Sequence, residues 1–134
     1  QSWTKSKNML ETGLYYAPLT DELRRELCEQ GADVPTEGHL ITVMYEGHAV
    51  GIVQLLPEKD PAAGWIGYYW LSPARRGEHR GIVPLGQAVK YYRNRGIDRL
   101  RLQCPDEYRP FFEKYGFTLI EGNILEKYIG YEER

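Results

Sequence analysis

Cysteine and methionine are scarce in these 134 residues, with only Cys28 and Cys104 and two Met. A chain of this length can build a core without disulfides, so the pair reads as two free thiols in a reducing compartment. That places the protein in the cytoplasm. No apolar run approaches the ~18 residues that a membrane-spanning helix requires, and no signal-peptide pattern is visible. Charge of one sign is also missing: 17 Lys+Arg face 19 Asp+Glu, a formal net charge of -2. So weak a field recruits neither nucleic acid nor an anionic membrane, and any polyanion must be met by a local cluster. No internal repeat or low-complexity segment occurs. No His/Cys grouping has zinc spacing, and no Ser-His-Asp or Cys-His arrangement is present, so no metal is expected. The chain opens at Gln1 with no initiator Met. Processing, excision from a longer polypeptide or the choice of expressed segment would each account for that.

What is present suits one α/β domain. Hydrophobic residues make up 42% of the chain, enough for one core but not comfortably for two. The 11 tyrosines are many. Each has an apolar body and a polar tip, which suits the lining of a cleft. Residues 1–12 are polar and read as an N-terminal segment or linker; residues 13–134 read as a single domain.

The order of elements follows from pattern and punctuation. Leu14-Tyr15-Tyr16 suits a first strand stopped by Pro18. Thr20 caps a helix carrying Leu23 and Leu27, which Gly31 ends. Leu40–Tyr45 and Ala49–Leu55 form a hairpin across Glu46-Gly47-His48, and Trp65–Leu71 is a third strand. In the run Tyr68-Tyr69-Trp70, alternate rings must fall on opposite sheet faces. Ile82, Leu85, Val89 and Tyr92 make a helical stripe ending at Gly96. Residues 98–104 alternate strictly, with Leu100, Leu102 and Cys104 on one face. A short helix near 108–115 precedes a closing hairpin, Phe117–Glu121 and Ile124–Ile129, split by Gly122-Asn123. Together these describe a mixed sheet with helices on its faces.

The segment with chemical promise is LSPARRGEHRGIVPLGQAV, residues 71–89. A strand ends at Leu71, a loop holds Arg75, Arg76, His79 and Arg80 beside Gly77 and Gly81, and a helix starts near Ile82. A helix start offers unpartnered amides and the positive end of the dipole, so a pyrophosphate is the natural occupant. A solvated basic loop before an ordinary helix is the plainer account.

On these residues the chain resembles the GCN5-related N-acetyltransferase (GNAT) family over roughly residues 14 to 129. The family signature, Arg/Gln-x-x-Gly-x-Gly/Ala, is matched by Arg76-Gly77-Glu78-His79-Arg80-Gly81, which keeps Arg76 and Gly81. Phe111-Phe112-Glu113-Lys114-Tyr115-Gly116-Phe117 is similar to a second hallmark, Phe-Tyr-Glu-Lys-x-Gly-Phe. The closing LEKYIGY resembles acetyltransferase domains fused to a histidine-phosphatase half. That likeness implies covalent fusion to another domain in the native chain. The resemblance implies the acyl-CoA N-acyltransferase fold: an α/β (α+β) mixed, mostly antiparallel sheet, splayed at its centre, with helices on both faces.

The resemblance also implies a reaction, in which an unprotonated amine directly attacks the thioester of acetyl-coenzyme A, the co-substrate. The enzyme supplies chiefly positioning and an oxyanion donor. Trp70, Leu71 and Ser72 would pair with the pantetheine arm. Arg76, Gly77, Glu78, His79, Arg80, Gly81 and Ile82 would hold the phosphates, and Phe112 would border the coenzyme.

Two departures fall on functional positions. His79 replaces a Gly; at φ > 0 it would be strained by ~1–2 kcal/mol. Either its imidazolium serves the phosphates or the loop has drifted. Phe112 stands where the family has the Tyr that protonates the leaving thiolate, so Tyr108 and Tyr115, one turn to either side, are the candidate proton donors. Pro110 threatens to push the helix start past Tyr108. His39 and His48 read as polar strand ends, and Glu58 and Asp60 as a solvated loop. The acceptor is a small-molecule or peptide amine. Exposed edge strands in the closing hairpin fit a homodimer. The same departures support an alternative, a catalytically degenerate module that binds the coenzyme or a partner without turnover.

Overall fold

The computed structural model describes residues 13–73 and 82–131. Seven strands form one sheet: β1 (Leu14–Pro18), β2 (His39–Tyr45), β3 (His48–Leu56), β4 (Gly64–Leu71), β5 (Arg99–Gln103), β6 (Thr118–Glu121) and β7 (Ile124–Tyr128). Their order is β1-β2-β3-β4-β5-β7-β6. Every neighbouring pair is antiparallel except β4 and β5. The helices are α1 (Asp21–Glu29), α2 (Ile82–Arg93) and α3 (Arg109–Lys114), the last preceded by a 3₁₀ turn at Asp106–Tyr108. The mixed sheet and helix order agree with the sequence reading. Residues 1–12 lie outside the described residues.

Local rules account for most boundaries. The Thr20 side chain accepts from the Leu23 N–H at 3.2 Å, satisfying one of the orphan amides at the start of α1. Pro18 falls inside β1 rather than after it, because β1 is an edge strand and a missing amide can face outward there. The strict alternation of β5 places Leu100, Leu102 and Cys104 in the core, while Arg99 and Gln103 face solvent.

The sheet buries both faces. On one, α1 sets Leu27 against Met44, Ala49 and Ile52. On the other, Leu85, Ala88 and Tyr92 of α2 and Phe112 of α3 pack on Val53, Leu55, Ile66, Leu100 and Leu125. Each fully buried aliphatic side chain in these clusters contributes about 1.5–3 kcal/mol. Two layers of helix around one sheet bring the carboxyl end of β4 and the start of α2 to one end of the molecule. Among the described residues, no helix is long and apolar enough to cross a membrane. Both cysteines are free, Cys28 exposed and Cys104 buried.

Candidate active site

The parallel register pairs Gly64 with Leu100, Trp65 with Arg101 and Ile66 with Leu102, and it ends there. Past Ile66 a cleft of about 480 Å³ lies between the two strands. Its walls are β4 from Ile66 to Leu71 and the chain from Leu102 to Pro105; Tyr108, Phe111 and Phe112 close it from the helical side. Clefts of this size, outside the carboxyl ends of parallel strands, are where open α/β sheets take small ligands.

A bulge in β4 decides which side chains face this cleft. Gln54 pairs with Tyr68, but the next residue, Leu55, pairs with Ile66, leaving Gly67 as an extra residue. A Cβ at Gly67 would collide with Gln54 Oε1 and crowd Leu56. Gln54 is held by its Nε2–H donating to the Glu37 carbonyl at 2.8 Å, so it cannot easily give way. Uninterrupted alternation from Ile66 would put Tyr68 and Trp70 on its face. The bulge reverses this. Tyr69 joins the cluster of Ile66, while Tyr68 and Trp70 pack with Leu27 and Ile52 on the far side.

Tyr69 therefore points its ring toward α3. It meets Phe112 edge-on at 5.6 Å between centroids and 74°, and Phe111 at 6.1 Å. Its hydroxyl is buried and makes no hydrogen bond. Burial, reinforced by the neighbouring Tyr115 phenol, holds that hydroxyl well above the ordinary tyrosine range. Phe112 is 6% exposed and also stacks edge-on against Phe117. Burial likewise raises the Cys104 thiol above its usual value, against a smaller opposing pull from Arg109, which makes it a weak nucleophile at neutral pH.

The sequence candidates distribute unevenly. Trp70 and Leu71 border the cleft; Ser72 is buried and its N–H donates to the Val50 carbonyl at 2.8 Å. Tyr108 borders the cleft with 55% of its surface exposed. α3 does start past it, at Arg109 with Pro110 in the first turn, but the 3₁₀ turn that holds Tyr108 leaves it bordering the cleft. Tyr115 ends α3, lies on Phe111 at 5.2 Å and does not line the cleft. Arg76, Gly77, Glu78, His79, Arg80 and Gly81 lie outside the described residues, and Ile82 is the first residue of α2. Sequence named Tyr69 only within the run Tyr68-Tyr69-Trp70, one set of rings to pack in the core and the other to line a cleft, without saying which. The signal that decides it is a Gly inside an aromatic strand pattern, which announces a bulge.

The remaining polar candidates have structural partners. His48 Nδ1 is 3.1 Å from Glu26. Asp60 accepts from the Ala62 N–H at 2.9 Å and pairs with Arg101 at 3.6 Å; the Ala62 hydrogen bond is the main cause holding its carboxyl below the usual range. His39 stacks on Tyr91 at 4.5 Å. Among the described residues no group of His, Cys, Asp and Glu could hold a metal ion.

The model of the Acetyltransferase (GNAT) family matches residues 7–117. No curated protein matches the chain. Among solved structures, a GNAT acetyltransferase from Staphylococcus aureus Mu50 superposes with a TM-score of 0.69 at 11% identity, covering 87% of this chain and 99% of its own. A GNAT acetyltransferase from Elizabethkingia anophelis with acetyl-CoA bound gives 0.66 at 14% identity, over 87% and 98%. N-acetylglutamate synthase from Neisseria gonorrhoeae, complexed with coenzyme A and L-arginine, gives 0.67 at 15% identity. It covers 86% of this chain, which spans only 33% of the synthase. At these identities the structural likenesses establish the fold.

Proposed function

Since the chain belongs to the Acetyltransferase (GNAT) family, we propose that it moves an acetyl group from acetyl-coenzyme A to an amine. The observation that carries this reading is the cleft that opens where the β4–β5 register ends at Ile66 and Leu102. A pantetheine arm is long and narrow, mostly apolar with two amides, and the cleft offers strand backbone on both sides with aromatic cover. The residues present fit that group.

In this reading Trp70 and Leu71, which border the cleft, hold the arm and Phe112 covers it, while Ser72 has its N–H engaged by Val50 and falls outside the lining. The phosphates fall to the segment Arg76, Gly77, Glu78, His79, Arg80 and Gly81 and to the amides at Ile82. There guanidinium charge and a helix start act together. The amine nitrogen attacks the thioester carbonyl, the C–N bond forms, and the C–S electron pair leaves on sulfur. Tyr108, at the cleft, is favoured over Tyr115 as the group that returns a proton to that sulfur. The acceptor is a small-molecule or peptide amine. Calorimetric titration with acetyl-coenzyme A is the direct test, and no heat at high micromolar ligand rejects the reading.

A second reading, a coenzyme-binding module without turnover, draws support from Phe112, whose ring lacks any proton to give, and from Tyr115 lying off the cleft. Binding with no thiol release across a broad amine panel selects it.

The same proposal takes residues 13–134 as a single domain in the cytoplasm, joined in the native chain to a further domain. β6 is an edge strand with Leu119 and Ile120 each 43% exposed, which supports a homodimer. Sedimentation at micromolar concentration distinguishes dimer from monomer.

A further inference from the structure

A tyrosine hydroxyl sealed from water without a partner is costly, because it gives up its hydrogen bonds to solvent and gains none. Tyr69 is in that position. Two features hold it there, and a third sets the residue at the cleft. The Gly67 bulge turns it onto the α3 face, Phe111 and Phe112 pack against its ring, and its residue forms part of the cleft wall. Thr42 also carries a buried hydroxyl without a partner, but it does not border the cleft.

We infer that Tyr69 is a hydrogen-bond donor to the thioester of the bound acyl donor, supplying from β4 the polar contact that the Phe111–Phe112 wall cannot make. The inference rests on the acetyltransferase reading above. The hydroxyl donates without transferring its proton. As the amine nitrogen bonds to the carbonyl carbon and the C–S pair departs on sulfur, Tyr69 stabilises the charge that gathers on the thioester heteroatoms. The proton lost by the amine goes to the thiolate through another group or solvent. A phenol whose ionisation is suppressed by burial suits this role, since it stays protonated and able to donate at neutral pH.

The test is Tyr69→Phe, read in three ways. Without ligand, the variant melts at or above the wild-type temperature, because only an unpaired hydroxyl is removed; a lower melting temperature overturns the inference, whatever the ligand. With isotope-labelled acetyl-coenzyme A, the carbonyl stretch of the bound thioester rises in the variant as polarisation is lost; an unchanged band also overturns it. In turnover, kcat falls on the order of 10²-fold with KM little changed, the mark of a contact that strengthens in the transition state. An equal loss confined to KM contradicts the role. If wild-type protein binds no acetyl-coenzyme A at all, the acetyltransferase reading fails and this inference goes with it. The ligand-free melting result separates the two failures.

Discussion

The Tyr92 hydroxyl donates to the Trp65 carbonyl at 2.7 Å while its ring lies against the backbone of the preceding residue, Gly64. One residue of α2 thus clamps the first turn of β4, where the parallel pairing with β5 begins. No side chain fits at Gly64, since a Cβ would enter the Tyr92 ring. Gly64→Ala is therefore expected to cost about 1–3 kcal/mol as overpacking. Tyr92→Phe is expected to cost about 0.5–1.5 kcal/mol by removing that hydrogen bond. Urea unfolding checks both. Burial pushes the Tyr92 phenol up to about 12. The fold favours the neutral phenol, so its contribution is full below the unfolded value of ~10 and is lost as pH rises toward 12. The wild type should lose stability between pH 9.5 and 11.5 more steeply than Tyr92→Phe, on a scale set by those pKa values.

His39 gives the opposite pH signature. Burial, and then the nearby Arg95 guanidinium, lower its pKa, and Lys90 lines the same hollow. Tyr91 sits between, stacked on His39 and lying 3.7 Å from the Arg95 guanidinium carbon. The unfolded chain takes up this proton more readily than the folded one. Stability is then complete above the unfolded value of ~6.5 and falls as pH drops through the depressed folded value. Melting curves between pH 7.5 and 5 should separate wild type from His39→Gln, which lacks this component. Parallel curves would show that the stack carries no linkage.

Tyr108 and Tyr115 make unequal predictions. Tyr108 borders the cleft and Tyr115 does not. Tyr108→Phe should lower thiol release on the order of 10²-fold. Tyr115→Phe should cost less and act through packing on Phe111. The reverse ranking would move the proton donor to the end of α3.

Position 79 tests the proposed anion site. If the loop needs φ > 0 there, His79→Gly should tighten acetyl-coenzyme A binding about tenfold, matching the ~1–2 kcal/mol strain of an L side chain in that region. If the imidazolium serves the phosphates, the same change should weaken binding, most of all at pH 6. Calorimetry at two pH values distinguishes them.

Much of this molecule is legible in one dimension. Periodicity and punctuation locate all seven strands and the three helices, because side-chain alternation and capping are local properties. Thr20 capping α1 and Leu100, Leu102 and Cys104 sharing a face follow directly. The site was legible only as a list of residues. Tyr108 and Tyr115 each lie about one turn from Phe112 in sequence, yet Tyr108 sits in the 3₁₀ turn at the cleft and Tyr115 at the far end of α3.

By itself, then, the order of residues determined the elements, the two buried faces and the presence of a basic segment before α2. Tertiary structure decided that β5 stops pairing with β4 after Leu102, which opens the cleft. It also decided that one unpaired glycine turns Tyr69 toward α3 and Tyr68 and Trp70 away. The reason is physical: hydrophobic alternation records which face is buried, but a bulge or a lapse in register depends on the partner strand, whose contacts lie far away along the chain.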